Sequence, residues 1–170
     1  MRLQNFFITM MAVCTFSATA NAQKTIVDLA VGSTDHTTLV AAVKAADLVA
    51  TLQSAGPFTV FAPTNAAFGK LPAGTVEELV KPENKSMLTK ILTYHVVAGN
   101  FNAGAVVKAI KDGGGKATLK TVSGGSIVAS LENGKVVLTD EKGGLATVVA
   151  ADLNASNGVI HVVDAVVLPK

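Results

Sequence analysis

Hydrophobic positions follow a helical period in the first half of the chain and a period of two in the second. Leu39, Val43 and Ala46 recur at helical spacing, and Leu88, Ile91, Leu92 and His95 share one helical stripe. Thr25 to Ala30 reads as a short opening helix. Ser33 or Asp35 is placed to cap a longer one, and Leu48, Val49 and Leu52 extend the apolar pattern into another short helix. Gly56-Pro57 stops it. Phe58 to Ala62 then reads as a strand of aromatic and β-branched residues, ended by Pro63, which has no N–H for a ladder. Thr64 or Asn65 can cap a short helix carrying Phe68. Thr75 is placed to cap Val76 to Lys81, and Pro82 breaks that helix and can open the next. Tyr94-His95-Val96-Val97 reads as a helix-to-strand transition closed by Gly99-Asn100, after which Asn102 caps Ala103 to Lys111.

Beyond the glycines at 113, 114 and 115 the alternation takes over. Ala117 to Thr121, Ser126 to Leu131, Lys135 to Thr139 and Ala146 to Leu153 read as strands. Asn133-Gly134 marks a tight hairpin, because both residues tolerate positive φ. Asn154 to Asn157 reads as a loop into a last strand, Val159 to Leu168, whose two faces are both mainly apolar. Helices first and strands second predict an α+β domain with an antiparallel-rich sheet and helices against one side.

The N-terminal segment stands apart. Arg2, the short apolar run from Phe6 to Phe16 and Ala20-Asn21-Ala22 make residues 1–22 a secretory signal, with a mature start at Gln23 and one domain over 23–170. The apolar run is well short of the ~20 residues that cross a bilayer, and no transmembrane segment is expected in the mature chain. The sole cysteine, Cys14, lies inside the signal, so an exported product would rely on packing rather than disulfides. Localisation is then periplasmic, cell-surface or extracellular. A net charge of +2, scattered, with one tyrosine and no tryptophan, offers no nucleic-acid footprint.

Two stretches carry a resemblance. Phe58-Thr59-Val60-Phe61-Ala62-Pro63-Thr64-Asn65-Ala66-Ala67-Phe68 resembles the first signature segment of the fasciclin-type adhesion domain, and Gly158 to Pro169, with His161 and Asp164, resembles the second. Leu92-Thr93-Tyr94-His95-Val96-Val97-Ala98-Gly99 between them is similar to that family's tyrosine–histidine segment. The resemblance spans about Thr25 to Pro169. It implies a β-wedge flanked by several short helices and a non-catalytic adhesion module. In the family's animal members the tyrosine–histidine pair is implicated in integrin-dependent adhesion. Carried over, this names Tyr94 and His95, flanked by Val96 and Val97, as the candidate contact. The competing reading of the same residues is core packing, since His95 falls on the apolar stripe. Thr59, Phe61, Ala62, Pro63, Thr64, Asn65, Phe68, His161 and Asp164 are expected to be structural.

Chemistry is sparse. The three histidines, His36, His95 and His161, stand in no metal spacing, and no Gly-x-Ser-x-Gly elbow occurs. His36 is expected in solvent, and His161 hydrogen-bonded in the core. Asp140, Glu141 and Asp152 are expected to be solubilising. No enzyme activity, cofactor or metal is expected. The expected partner is a cell-surface or matrix protein or polysaccharide. The alternative is a small-ligand carrier with an apolar pocket between sheet and helices. Self-association stays open, since an exposed sheet edge could pair with another copy.

Overall fold

The structure, a computed structural model, describes residues 24–170, so the expected signal segment, 1–22, lies outside the described residues. The first half contains α1 (Ile26–Val31), a 3-10 turn (Thr34–His36), α2 (Thr37–Ala45), α3 (Val49–Gln53), β1 (Phe58–Pro63), α4 (Asn65–Gly69), α5 (Thr75–Leu79), a second 3-10 turn (Pro82–Asn84), α6 (Lys85–Tyr94) and β2 (Val96–Ala98). The second contains α7 (Ala103–Asp112), β3 (Lys116–Lys120), β4 (Ser126–Glu132), β5 (Lys135–Thr139), β6 (Leu145–Ala155) and β7 (Gly158–Val163). This is the α+β arrangement that the change of period implies.

The strands form one mixed sheet in the order β2-β1-β7-β6-β5-β4-β3. β1 and β7 are parallel, in register from Phe58 opposite Gly158 to Pro63 opposite Val163, and the other named strand pairs are antiparallel. β6 bends the sheet. Its first residues, Leu145 to Thr147, pair with β5, and from Val148 onward it pairs with β7. Its register slips between Val148 and Ala150 and again before Leu153, and such bulges bend and twist a strand. The two ends of the sheet then meet: Val97 bridges Thr121, and the Val122 N–H donates to the Val96 carbonyl at 2.8 Å. The result is a wedge closed along one edge.

Two cores follow from strand alternation. On β1, Val60 and Ala62 face the helices and pack with Ile26, Leu39, Leu52, Leu92 and Ile160. Phe61 faces the inside of the wedge with Tyr94, Val106, Ile110, Leu138 and Val163. Val106 and Ile110, one helical turn apart on α7, fill the wedge from its open side.

Several local expectations need correction. Ser33 does not cap α2; its Oγ binds His36 Nδ1 at 2.8 Å, and a 3-10 turn precedes the helix. Thr75 lies inside α5, whose N-terminal flank is Gly74 at φ 85° with no side-chain cap. The last strand stops at Val163 rather than Leu168, because Asp164 turns out of the ladder while keeping one bond, its N–H to the Thr147 carbonyl. β6 runs through Asn154 and Ala155, which pair with Val159 and Gly158, so the expected loop shrinks to a turn at Ser156 and Asn157. His36 is not solvated: it is 7% exposed, turned inward beside Leu29, Ala62 and Ile160. Asp140 is likewise buried, and its carboxylate is taken up by backbone donors.

Candidate functional site

The first signature corner is built by β1 and the cap of α4. Thr59, fully buried, donates from Oγ1 to the Gly99 carbonyl at 2.7 Å and accepts the Phe101 N–H at 2.8 Å. It thereby fixes the chain between β2 and α7. The Phe61 ring stacks on His161 with centroids 5.7 Å apart. Ala62 and Pro63 complete the strand, and Phe68 packs on the helical core. Thr64 caps α4 by accepting the Ala67 N–H.

Asn65 works at a distance. Its Oδ1 accepts the Thr38 N–H at 3.0 Å, in the first turn of α2, and its Nδ2 donates to the Thr34 carbonyl at 3.0 Å. One orphan donor at the start of α2 is therefore served by a residue that follows β1 in the chain.

The tyrosine–histidine segment ends α6 and enters β2. The Tyr94 hydroxyl donates to the Ser126 carbonyl at 2.6 Å and accepts the Glu141 N–H at 3.3 Å. Burial pushes the phenol above its usual pKa. His95 donates from Nδ1 to the Ile91 carbonyl at 2.8 Å, and its Nε2 accepts the Val167 N–H at 3.2 Å. Those bonds require the neutral ring with its proton on Nδ1. Burial holds its pKa down at about 4. Val96 and Val97 pair with Val60 and Thr59. All four residues lie inside, none more than 5% exposed. This burial agrees with the core-packing reading of the same residues.

The second signature segment supplies the remaining ties. His161 donates from Nε2 to the Phe101 carbonyl at 2.7 Å. Asp164 accepts the Thr147 N–H at 2.7 Å and meets Lys70 at 3.4 Å. The last residues form a strap held by side-chain acceptors: Val167 on His95, Leu168 on Asp140 at 2.9 Å and Lys170 on Glu141 at 3.5 Å. These bonds replace a strand ladder. The bond from Val167 satisfies a buried backbone donor that would otherwise be expensive to leave unpaired.

Chemically this lattice positions the chain. The one hydroxyl–imidazole contact among the described residues is Ser33 with His36, whose Nε2 has no partner and meets no carboxylate that could orient it. The described residues bring no three His, Cys, Asp or Glu together at metal-holding distance. Between helices and sheet lies an apolar cavity of about 40 Å³ lined by residues including Val27, Val43, Leu52 and Ile160. Ligand pockets run to roughly 300 Å³ or more, so the carrier alternative finds a packed wedge here.

What the surface offers is different. Of the large hydrophobic side chains that stay exposed, Leu145, Val149 and Leu153 all lie on β6, at 58%, 56% and 43%. Asp152, at φ 60°, is held inside this stretch by accepting the Ala103 N–H at 2.7 Å. The sequence places a strand here, Ala146 to Leu153, but motif reading did not single out its exposed apolar side chains. The available signal was an apolar run, Leu145 to Leu153, in which neither alternate set is polar enough to mark a solvent face.

Fold and geometry thus define an α+β wedge domain whose motif residues hold the scaffold together. The chain belongs to the fasciclin domain family, whose model matches residues 34–169. It is 53% identical to Protein sll1483 of Synechocystis over 93% of this chain and 80% of that protein. It is 42% identical to the immunogenic protein MPB70 of Mycobacterium bovis over 72% of this chain and 55% of the relative. A solved domain pair from the insect cell adhesion molecule Fasciclin I shares the fold, with a TM-score of 0.75 at 21% identity, over 85% of this chain and 51% of that one. Among the described residues no helix is long and apolar enough to cross a membrane.

Proposed function

We propose that this chain is a non-catalytic binding module, exported by residues 1–22, that adheres at a cell surface or extracellular matrix through the outer stretch of β6. The observation that carries the reading is the exposure of Leu145, Val149 and Leu153 on one strand. Exposed apolar groups gathered in this way mark interaction surfaces, and contact regions combine an apolar centre with a polar rim. Asp152, Asn154 and Ser156 supply polar neighbours along the same stretch. The shared fold with a domain of an insect cell adhesion molecule agrees with this reading.

The test uses the purified protein on beads, scored for retention on matrix preparations, on bacterial cells and on an inert polymer. A Val149→Ser/Leu153→Ser variant, checked by circular dichroism, runs beside it. Specific retention lost in the folded variant is expected. Retention no better than on inert polymer would overturn adhesion, and retention unchanged in the variant would overturn β6 as the contact.

A further inference from the structure

A second surface lies where β1 and β7 begin. The two strands are parallel, so their entering turns sit side by side, with the turn after β2 next to them. Together they enclose an open depression of about 320 Å³, lined by residues including Gly56, Pro57, Asn100, Asn154, Ser156 and Asn157. This volume falls within the range of ligand sites, unlike the cavity under the helices. None of its lining residues is charged.

Its floor is rigid. Asn157 spends its whole carboxamide internally: Nδ2 donates to the Leu52 and Ser54 carbonyls at 2.6 and 3.1 Å, and Oδ1 accepts the Ile26 N–H at 3.1 Å. The backbones touch where the strands start. A Cβ on Gly158 would stand 1.9 Å from the Phe58 carbonyl oxygen, and one on Gly56 would stand 2.1 Å from that of Asn157.

Its rim has capacity left over. Asn100 and Ser156 are exposed, and their side chains make no hydrogen bond to another described residue. Asn154 donates from Nδ2 to the Asp152 carbonyl at 3.2 Å and keeps Oδ1 open. A carboxamide both donates and accepts, and so does a hydroxyl. Pro57, which is exposed, adds C–H surface beside these polar groups.

We infer that this depression is a binding site for an uncharged saccharide unit. Sugar hydroxyls both donate and accept, which is what the amide and hydroxyl rim matches. An anionic or cationic ligand would find no countercharge in the lining, and a purely apolar one would strip water from the amides without replacing its bonds. The rigid floor limits what must be ordered on binding. The depression adjoins the end of β6 and shares Asn154 and Ser156 with the polar border of the proposed contact, but none of the exposed apolar side chains of that contact lines it, and the inference does not depend on adhesion there.

The experiment titrates the isotopically labelled purified protein with neutral oligosaccharides from glucan, galactan and mannan, with a uronic-acid oligosaccharide, and with glycerol. Amide shifts are followed by NMR. Saturable shifts at Gly56, Asn100 and residues 154 to 158 with at least one neutral sugar are expected. They should weaken at least fivefold in Asn100→Ala/Ser156→Ala and persist in Val149→Ser/Leu153→Ser. Absence of saturable shifts across the neutral panel would overturn the inference. So would an equal response to the uronate or to glycerol, or unchanged affinity in the Asn100/Ser156 variant.

Discussion

The Nε2 of His95 accepts the backbone N–H of Val167 at 3.2 Å, a bond between residues 72 positions apart. It ties the end of α6 to the C-terminal strap, and it requires a neutral imidazole. Burial lowers this pKa to about 4, so the folded protein resists a proton that the unfolded chain takes up near pH 6.5. The contribution is fully present above about pH 6.5 and is lost as pH falls from there toward 4, amounting to about 3 kcal/mol. Denaturant midpoints measured from pH 8 to 4 should fall accordingly and flatten in His95→Gln. His36 is shifted in the same direction by burial, so some slope should remain. An identical slope in the variant would remove His95 as the source.

Thr59→Val keeps the shape of the side chain but deletes the hydroxyl that serves Gly99 and Phe101. The Phe101 N–H is then left without its acceptor. Urea unfolding should show a loss of about 1–3 kcal/mol. A loss near zero would mean that water replaces the hydroxyl.

Asn65→Ala removes the acceptor for α2 and the donor to Thr34 together, and should destabilise by about 1–2 kcal/mol. Asn65→Asp keeps the acceptor and should recover part of that loss. Thermal melts of both variants decide the matter, and equal melting temperatures would contradict the capping role.

Gly158→Ala places a Cβ against the Phe58 carbonyl where two backbones already touch, and both are held in the β1–β7 ladder. Expression should yield unfolded or aggregated chain. Gly69→Ala is the control, because nothing lies within 4 Å of its added Cβ. A folded Gly158→Ala with native circular dichroism would show that the strands can part.

Local chemistry made much of this architecture legible. Asn133 and Gly134 take φ angles of 50° and 78°, as their hairpin demands, and Thr64 and Asn102 cap the helices that follow them. Alternation showed that the residues around His161 have two buried faces. What stayed hidden depends on groups brought together by the completed fold. Asn65 caps a helix that precedes it by 27 residues, and Asp140 serves Leu168 across 28. Neither spacing has a local signature. Tyr94 and His95 suited both core and contact by composition; the carbonyls of Ser126 and Ile91 that engage them are visible only in three dimensions.

The parallel pairing of β1 with β7 also bears on how the chain is made. Phe58 to Pro63 leave the ribosome early, and β2 follows soon after to cover one edge of that strand. The other edge waits for Gly158 to Val163, far later in the chain. Throughout that interval an apolar, β-prone strand has an unpaired side, a template for pairing with a neighbouring nascent chain. A domain wired this way cannot close until its last strand has emerged, and its yield in a cell depends on what shields β1 in the meantime.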